Sequence, residues 1–242
     1  INGTKTASTD NQFRTWEFDV ADVLQPGTNR IEVRFRSVLP LMEEKTSERD
    51  IKSPRCKPWE PHGRSYVRKQ QCNFGWDWGP VLITCGIWKP ISLVAFDTAR
   101  LGDVYVRQEH KDGRVDLAVE VTPDGPAGGL QARARIEFDG QIMDEACGAA
   151  DELALRVDEP QLWWPNGMGE QPLYTVTVEL LDADGNLLDT WTRRIGLRTL
   201  ELVTEDDGWG QSFYFRANGV PFFCTGANWI PADAILANCD RE

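Results

Sequence analysis

Residues 115–121 read Val-Asp-Leu-Ala-Val-Glu-Val, an alternation of apolar and polar side chains from which the class of fold follows. Successive side chains of a β-strand point to opposite faces, so a period of two is typical of a half-buried antiparallel strand. The same period recurs at residues 31–36, 132–138 and 174–180. The sequence therefore predicts an all-β chain.

Turn-forming pairs separate the alternating runs, at Pro26-Gly27, Asp139-Gly140, Asp184-Gly185 and Asn218-Gly219. The last pair lies between residues 213–216 and 220–223 and predicts a β-hairpin. Evenly spaced strands between about residues 98 and 197 suit a sandwich of immunoglobulin type. The polar stretch 43–64 predicts a loop, and the apolar residues 222–225 predict one further strand.

Composition narrows the class of partner. The chain has 242 residues, 41% hydrophobic and 26% charged, which is material for about two globular domains. A formal net charge of −12 argues against nucleic acid and anionic membranes as partners. No apolar run approaches the roughly 20 residues that a membrane-spanning helix needs. These properties favour a neutral or cationic small ligand.

Cysteine and histidine patterns predict neither a metal site nor a cofactor. The six cysteines form no C-x-x-C pair, and the two histidines, His62 and His110, lie far apart in the sequence. Scattered thiols favour a reducing compartment such as the cytoplasm over a set of disulfides. The chain also lacks a phosphate-binding glycine loop and an activated serine or cysteine motif.

The densest chemical signal is residues 73–80, Asn-Phe-Gly-Trp-Asp-Trp-Gly-Pro. Indole faces stack on the C–H faces of sugar rings, and a carboxylate between two indoles accepts hydrogen bonds from sugar hydroxyls. We therefore take Asp77, Trp76 and Trp78 as candidate sugar-binding residues. The alternative is that both indoles are core side chains and that Asp77 caps a turn.

Two further aromatic motifs have both structural and functional interpretations. Residues 163–167, Trp-Trp-Pro-Asn-Gly, favour a packed turn at the edge of a sandwich. Residues 226–233, Gly-Ala-Asn-Trp-Ile-Pro-Ala-Asp, place Asn228 and Trp229 directly after an apolar segment. If that segment opens a β/α barrel, both residues lie at its active-site end. Alternatively, Asn228 or Asp233 caps the next helix.

The 38 acidic residues do not reveal a catalytic pair. Most of them fall on polar strand faces or in loops, which indicates a solvated surface. We find no glutamate in the aromatic, turn-bounded setting that is typical of a raised pKa. The sequence thus predicts no catalytic residue in this chain.

Several of these motifs together resemble the N-terminal part of glycoside hydrolase family 2 β-mannosidases. Residues 66–80 with 86–90, and the opening residues 1–3 and 13–20, are similar to the first domain of that family. Residues 163–174 and 196–199 are similar to its immunoglobulin-like sandwich and the exit from it. Residues 215–221 and 226–233 are similar to the entry into its catalytic barrel.

The resemblance implies an order of domains. A jelly-roll-like (galactose-binding-like) sandwich is expected over residues 1–97 and an immunoglobulin-like sandwich over 98–199. Residues 200–242 would then be the first hairpin and strand of a (β/α)8 barrel. Both ends of the chain look cut, so we expect it to be a piece of a longer protein.

The activity implied by the resemblance is that of a retaining exo-β-mannosidase, which uses two carboxylates roughly 5 Å apart. In the family both are glutamates far along the barrel, so the 242-residue chain alone should be inactive. Asp77, Trp76 and Trp78 would help to close the sugar pocket from above, and Asn228 and Trp229 would line its barrel side. The expected partners are a β-mannoside and the catalytic barrel of the same polypeptide.

Three alternatives remain open from the sequence. The parent protein could be a sister family 2 glycosidase acting on β-galactosides, β-glucuronides or glucosaminides. The chain could also be an independent carbohydrate-binding or adhesion module of two β-sandwiches. A third possibility is a purely structural scaffold with tryptophans in its core.

Overall fold

A computed structural model describes residues 1–51, 58–126 and 128–239. The chain forms two compact units. The first unit comprises Ile1–Ser92 with Asn228–Glu242, and the second comprises Leu93–Ala227. The described residues 228–239 therefore belong to the unit of the N-terminal residues and not to the unit that directly precedes them.

Seven antiparallel strands build the main part of the second unit. They form a three-stranded sheet in the order β1-β2-β5 and a four-stranded sheet in the order β4-β3-β6-β7. Their bounds are Arg100–Lys111 (β1), Arg114–Asp124 (β2), Gln131–Phe138 (β3), Gln141–Ala149 (β4), Glu152–Asp158 (β5), Tyr174–Leu181 (β6) and Leu187–Ile195 (β7). Seven strands in two antiparallel sheets suit an immunoglobulin-like sandwich.

The core of this sandwich is the apolar face that the alternating sequence predicts. Alternate residues of β2 and β5 share one cluster of buried residues with alternate residues of β3 and β6. Within that cluster Tyr174 stacks on Phe138, with ring centroids 4.6 Å apart. The predicted strands at 115–121, 132–138 and 174–180 are confirmed.

The predicted hairpin around Asn218-Gly219 is also confirmed. Strand β11 (Tyr214–Ala217) pairs with β12 (Val220–Phe222) and with β8 (Leu200–Val203), and a small separate hairpin pairs β9 (Asp206–Asp207) with β10 (Gly210–Gln211). Both turn residues have positive φ, 48° for Asn218 and 80° for Gly219, as a two-residue hairpin turn requires. The strand predicted at residues 222–225 is wrong beyond Phe222, because the described chain offers residues 223–225 no ladder partner.

The first unit is organised differently. Its helix α1 (Leu39–Glu48) is accompanied by short 3-10 helices at Ala21–Val23, Arg64–Tyr66, Gln71–Asn73 and Leu236–Asn238. Two isolated β-bridges, Asn11 with Arg68 and Phe74 with Val81, are the β-pairings among its described residues. A small core is formed by Met42 of α1 with Val67 and Phe74.

The prediction of a loop at residues 43–64 is wrong for residues 43–48, which belong to helix α1. A proline in the first turn starts this helix, and the inward-facing Met42 anchors it. Lys45 pairs with Glu48 at a spacing of three residues, with Nζ and Oε2 2.9 Å apart. Residues 52–57 of the predicted loop lie outside the described residues. No described helix has the length and apolar character needed to cross a membrane.

The strand predicted at residues 31–36 is wrong as well. The described chain provides no ladder of hydrogen bonds for this run. Its apolar residues are about half exposed, at 57% for Ile31, 50% for Val33 and 46% for Phe35. A strand needs a neighbour that satisfies its backbone groups, and the alternation of side chains alone does not supply one.

Candidate sugar-binding site

The Trp-Asp-Trp motif lies on a tight, well-anchored loop of the first unit. The bridge between Phe74 and Val81 closes the loop at its base, where the Leu82 amide donates to the Asn73 carbonyl oxygen at 3.0 Å. Near the tip, the Trp76 amide donates to the Gly79 carbonyl oxygen at 3.3 Å. We call residues 75–79 the WDW loop. Its base is fixed by the fully buried Phe74.

The three candidate residues of the WDW loop are accessible. Trp76 is 38% exposed, Trp78 is half-buried and Asp77 is exposed. The Asp77 carboxylate has no hydrogen-bond or ion-pair partner among the residues that the structure describes, whereas a turn-capping aspartate would accept a backbone N–H. The capping alternative for Asp77 therefore lacks its hydrogen bond. An exposed acceptor between two indoles has the polarity pattern of a sugar-binding surface.

Two charged residues below the WDW loop were missed by sequence reasoning. Glu60 and Arg64 are only 2% and 3% exposed. Arg64 Nη1 donates to the Gly75 carbonyl oxygen at 3.3 Å, and its guanidinium carbon lies 5.5 Å from the centroid of the Trp76 ring. In the sequence Glu60 stands between Trp59 and Pro61.

The segment that precedes the loop is partly buried. Lys69 Nζ and the Gln70 amide both donate to Gln12 Oε1, at 3.5 Å and 3.2 Å. Burial lowers the pKa of Lys69 from its ordinary value, although the nearby Cys85 thiol acts in the opposite direction. The Lys69 ammonium group therefore contacts Gln12 inside the first unit and is not fully solvated.

The segment with Asn228 and Trp229 belongs to the same compact unit as the WDW loop. The buried Asn73 donates through Nδ2 to the Ala234 carbonyl oxygen at 2.9 Å, which joins the base of the loop to this segment. Trp229 is 86% exposed and Asn228 is exposed too. The structure thus links the two candidate segments and leaves all three indoles and both polar side chains accessible.

Asp233 has a structural role in the turn that precedes the last 3-10 helix. Its carboxylate accepts from the Ile235 amide at 2.8 Å and from Asn238 Nδ2 at 2.9 Å, around the last 3-10 helix. These hydrogen bonds, the one from Ile235 first, lower the pKa of Asp233 below its ordinary value. Asp233 therefore stabilises the turn that leads into this helix, whereas Asn228 has no hydrogen bond among the described residues.

The motif at residues 163–167 forms the packed turn that its sequence favours. The Trp163 amide donates to the Leu197 carbonyl oxygen at 2.9 Å, and Asn218 Nδ2 donates to the Trp163 carbonyl oxygen at 3.0 Å. The Arg198 guanidinium carbon lies 4.7 Å from the centroid of the Trp163 ring. The indole is thereby engaged inside the second unit and is not a candidate for sugar binding.

Neither of two open concavities on the described surface contains a candidate residue. One runs along α1 and is bordered by Met42, Thr46 and His62, and the other lies beside residues 129–131 and 147–149. Within residues 1–51, 58–126 and 128–239, no group of histidine, cysteine and acidic side chains is arranged to hold a metal ion. The described cysteines are free thiols at positions 72, 85, 147, 224 and 239.

The first unit thus presents an accessible carboxylate between two indoles on an anchored loop. Residues 1–89 match the profile described as glycosyl hydrolase 2 galactose-binding domain-like, and residues 99–198 match that of glycosyl hydrolases family 2. The chain belongs to glycoside hydrolase family 2.

Named relatives cover nearly the whole chain. It is 34% identical, over an alignment 252 positions long, to beta-mannosidase B of Emericella nidulans, with 98% of this chain and 29% of the relative covered. Beta-mannosidase B of Thermothelomyces thermophilus is 33% identical, with 100% and 29% covered. The chain thus spans about 29% of the length of these curated relatives.

A solved structure has the same fold over the same extent. The crystal structure of beta-D-mannosidase from Dictyoglomus thermophilum superposes with a TM-score of 0.82 at 36% sequence identity. The superposition covers 99% of this chain and 30% of that chain.

Proposed function

We propose that this chain is the non-catalytic N-terminal region of a retaining exo-β-mannosidase, which releases terminal β-mannose. The observation that carries the proposal is Asp77, an exposed carboxylate without a described internal partner, held between Trp76 and Trp78 on an anchored loop. The β-mannosidase relatives that match the chain along its length support this choice of substrate.

Each candidate residue receives a role from its chemistry. Asp77 accepts hydrogen bonds from hydroxyls of the terminal sugar, since a carboxylate is an acceptor only. Trp76 and Trp78 form an apolar wall beside it. Asn228 and Trp229 contribute a second polar group and a third indole from the segment that Asn73 joins to the loop. Together they form one part of a pocket.

In this proposal the catalytic carboxylates belong to a barrel of the same polypeptide, outside these 242 residues. Retaining glycosidases use one carboxyl group as acid/base and the other as nucleophile. The proposed organisation is a galactose-binding-like sandwich over residues 1–97, an immunoglobulin-like sandwich over 98–199, and a lead into the barrel over 200–242. The two family matches, at residues 1–89 and 99–198, support this division.

Substitution of Asp77 tests the proposal in the complete enzyme. Asp77→Ala should lower kcat/KM for an aryl β-mannoside about 10- to 100-fold, because a lost hydrogen bond to a charged acceptor costs about 1–3 kcal/mol. Its melting temperature should stay unchanged, since Asp77 is exposed. The matched control is Asp10→Ala, another exposed aspartate of the first unit, which should retain normal kinetics.

Two results would contradict the proposal. Near-normal kinetics of Asp77→Ala would remove Asp77 from the site. Turnover of the mannoside by the 242-residue chain alone, abolished by a substitution within it, would show that the catalytic groups are here. A panel of β-mannoside, β-galactoside, β-glucuronide and glucosaminide substrates distinguishes β-mannosidase from its sister activities.

A further inference from the structure

Two oppositely charged side chains are buried together beneath the WDW loop, at Glu60 and Arg64. Removing a charge from water is costly unless hydrogen bonds and an opposite charge compensate for it. Both residues lie outside the Trp-Asp-Trp motif, and neither is exposed enough to meet a sugar. Their burial therefore calls for a role inside the protein.

Both charged groups converge on Gly75, the first residue of the WDW loop. Gly75 has φ of +103°, a conformation that side-chain-bearing residues rarely adopt. A Cβ at this position would lie 2.6 Å from Cγ and 2.7 Å from Oε1 of Glu60. The glycine therefore allows the backbone of the loop to rest directly on the carboxylate. From the same place, Arg64 Nη1 holds the Gly75 carbonyl oxygen at 3.3 Å.

Arg64 also contacts the first indole of the loop. Its guanidinium carbon lies 5.5 Å from the centroid of the Trp76 ring, within the range of a cation–π interaction. The same planar group thus holds the backbone before Trp76 and supports the face of its ring. A lysine has no planar fork and cannot reproduce both contacts in this geometry.

We infer that Glu60 and Arg64 are positioning residues for the WDW loop, which fix Gly75 and the Trp76 ring and thereby set the direction of Asp77. They contact no substrate and act through the loop. An effect of these residues on kcat/KM rests on the proposed function of Asp77. Their effect on the stability of the loop does not. The two consequences can therefore be tested separately.

The structural test is amide hydrogen exchange on the 242-residue chain. Arg64→Met should speed exchange of the Trp76 amide, which bonds to Gly79, about tenfold or more. The Leu82 amide at the base of the loop should keep its protection, which distinguishes a local effect from general unfolding. Arg34→Met, the same change at an exposed position of this unit, should alter neither amide.

The kinetic test is a double-mutant cycle in the complete enzyme. Arg64→Met alone should lower kcat/KM for an aryl β-mannoside about 10- to 100-fold, since a small misplacement of a binding group has effects of this size. In the Asp77→Ala background the same change should cost less than about threefold, because the group that it positions is gone. If Arg64→Met does not fold, Arg64→Lys replaces it in both tests with the same expected direction.

The possible results separate the two proposals. Unchanged exchange at Trp76 in a folded Arg64 variant overturns the positioning role. Equal losses of kcat/KM with and without Asp77 overturn it too, because Arg64 would then act elsewhere. If exchange at Trp76 rises while Asp77→Ala has normal kinetics, the positioning role stands and the proposed sugar contact of Asp77 fails.

Discussion

The two units carry the same alternating pattern of residues but use it differently. In strand β3 the residues Ala132, Ala134 and Ile136 are fully buried against the facing sheet. In residues 31–36 the equivalent apolar positions are about half exposed, and the run has no ladder among the described residues. A period of two therefore determines which side chains share a face, whereas the neighbouring strands determine whether that face is covered.

Isoleucine truncation measures this difference most directly. Ile136→Ala removes a fully buried side chain and should lower the free energy of unfolding by about 2–5 kcal/mol. Ile31→Ala makes the same chemical change at a position that is 57% exposed, and its effect should stay within about 0.5 kcal/mol. Urea denaturation of both variants provides the measurement. Equal losses would mean that residues 31–36 are covered in solution and that the contrast between the units is false.

A smaller effect is expected from deletion of a tyrosine hydroxyl. Tyr174 is buried in the sandwich, and its hydroxyl accepts from the Gln161 amide at 2.9 Å. Tyr174→Phe should lower the free energy of unfolding by about 0.5–1.5 kcal/mol. Tyr66 of the first unit donates to the Arg49 carbonyl oxygen at an exposed site, where water can replace the lost group.

The matched variant Tyr66→Phe should therefore change the free energy of unfolding by less than about 0.5 kcal/mol. Thermal unfolding of the two variants shows whether Tyr174→Phe is the more destabilising change. A larger loss for Tyr66→Phe would show that the exposed bond of the first unit contributes more than the buried one of the sandwich.

The smallest effect concerns surface charge and depends on pH. Asp116 of β2 is hydrogen-bonded by Lys111 and Arg156, which hold its pKa at about 2. A carboxyl pKa that is lower in the folded state stabilises the fold above about pH 4, and this contribution is lost as the pH falls towards 2. Asp116→Asn should thus destabilise the chain slightly at pH 7 and not at pH 2.

The control for Asp116 is Glu48→Gln in α1, where one partly exposed lysine, Lys45, is the partner. It should have a smaller effect than Asp116→Asn at pH 7, because exposed pairs contribute little. Thermal melts between pH 2 and pH 7 give the comparison. A destabilisation by Asp116→Asn that persists at pH 2 would contradict the electrostatic explanation.

The sandwich was accessible from the sequence because its signals are local. Alternation in residues 115–121, 132–138 and 174–180 identifies the strands, and Asp139-Gly140 identifies a turn with positive φ between β3 and β4. Helix α1 was missed because its apolar residues form no stripe at helical spacing, and only Met42 of its ten residues is buried. Residues 31–36 lack a hydrogen-bonded partner strand in the described part of the chain, and the sequence of these six residues cannot show whether such a partner is present.

The candidate site was accessible only in part. Aromatic residues around Asp77 indicate a sugar surface from the sequence alone. The burial of Glu60 and Arg64 is a tertiary property, since it arises from contact with Gly75, which lies 11 residues after Arg64. The flanking residues Trp59 and Pro61 could have indicated that Glu60 is buried. No periodic pattern in the sequence indicates the burial of Arg64.

The hydrogen bond from Asn73 to Ala234 has a consequence for the order of synthesis. Its two residues are 161 positions apart, and the whole sandwich unit lies between them. At about 5–20 residues per second, a ribosome that has added Asn73 needs roughly 8–32 s to reach its partner. During that interval every strand of the sandwich is made. The bond at the base of the WDW loop can therefore form only after the second unit has been synthesised, although the loop itself is synthesised first.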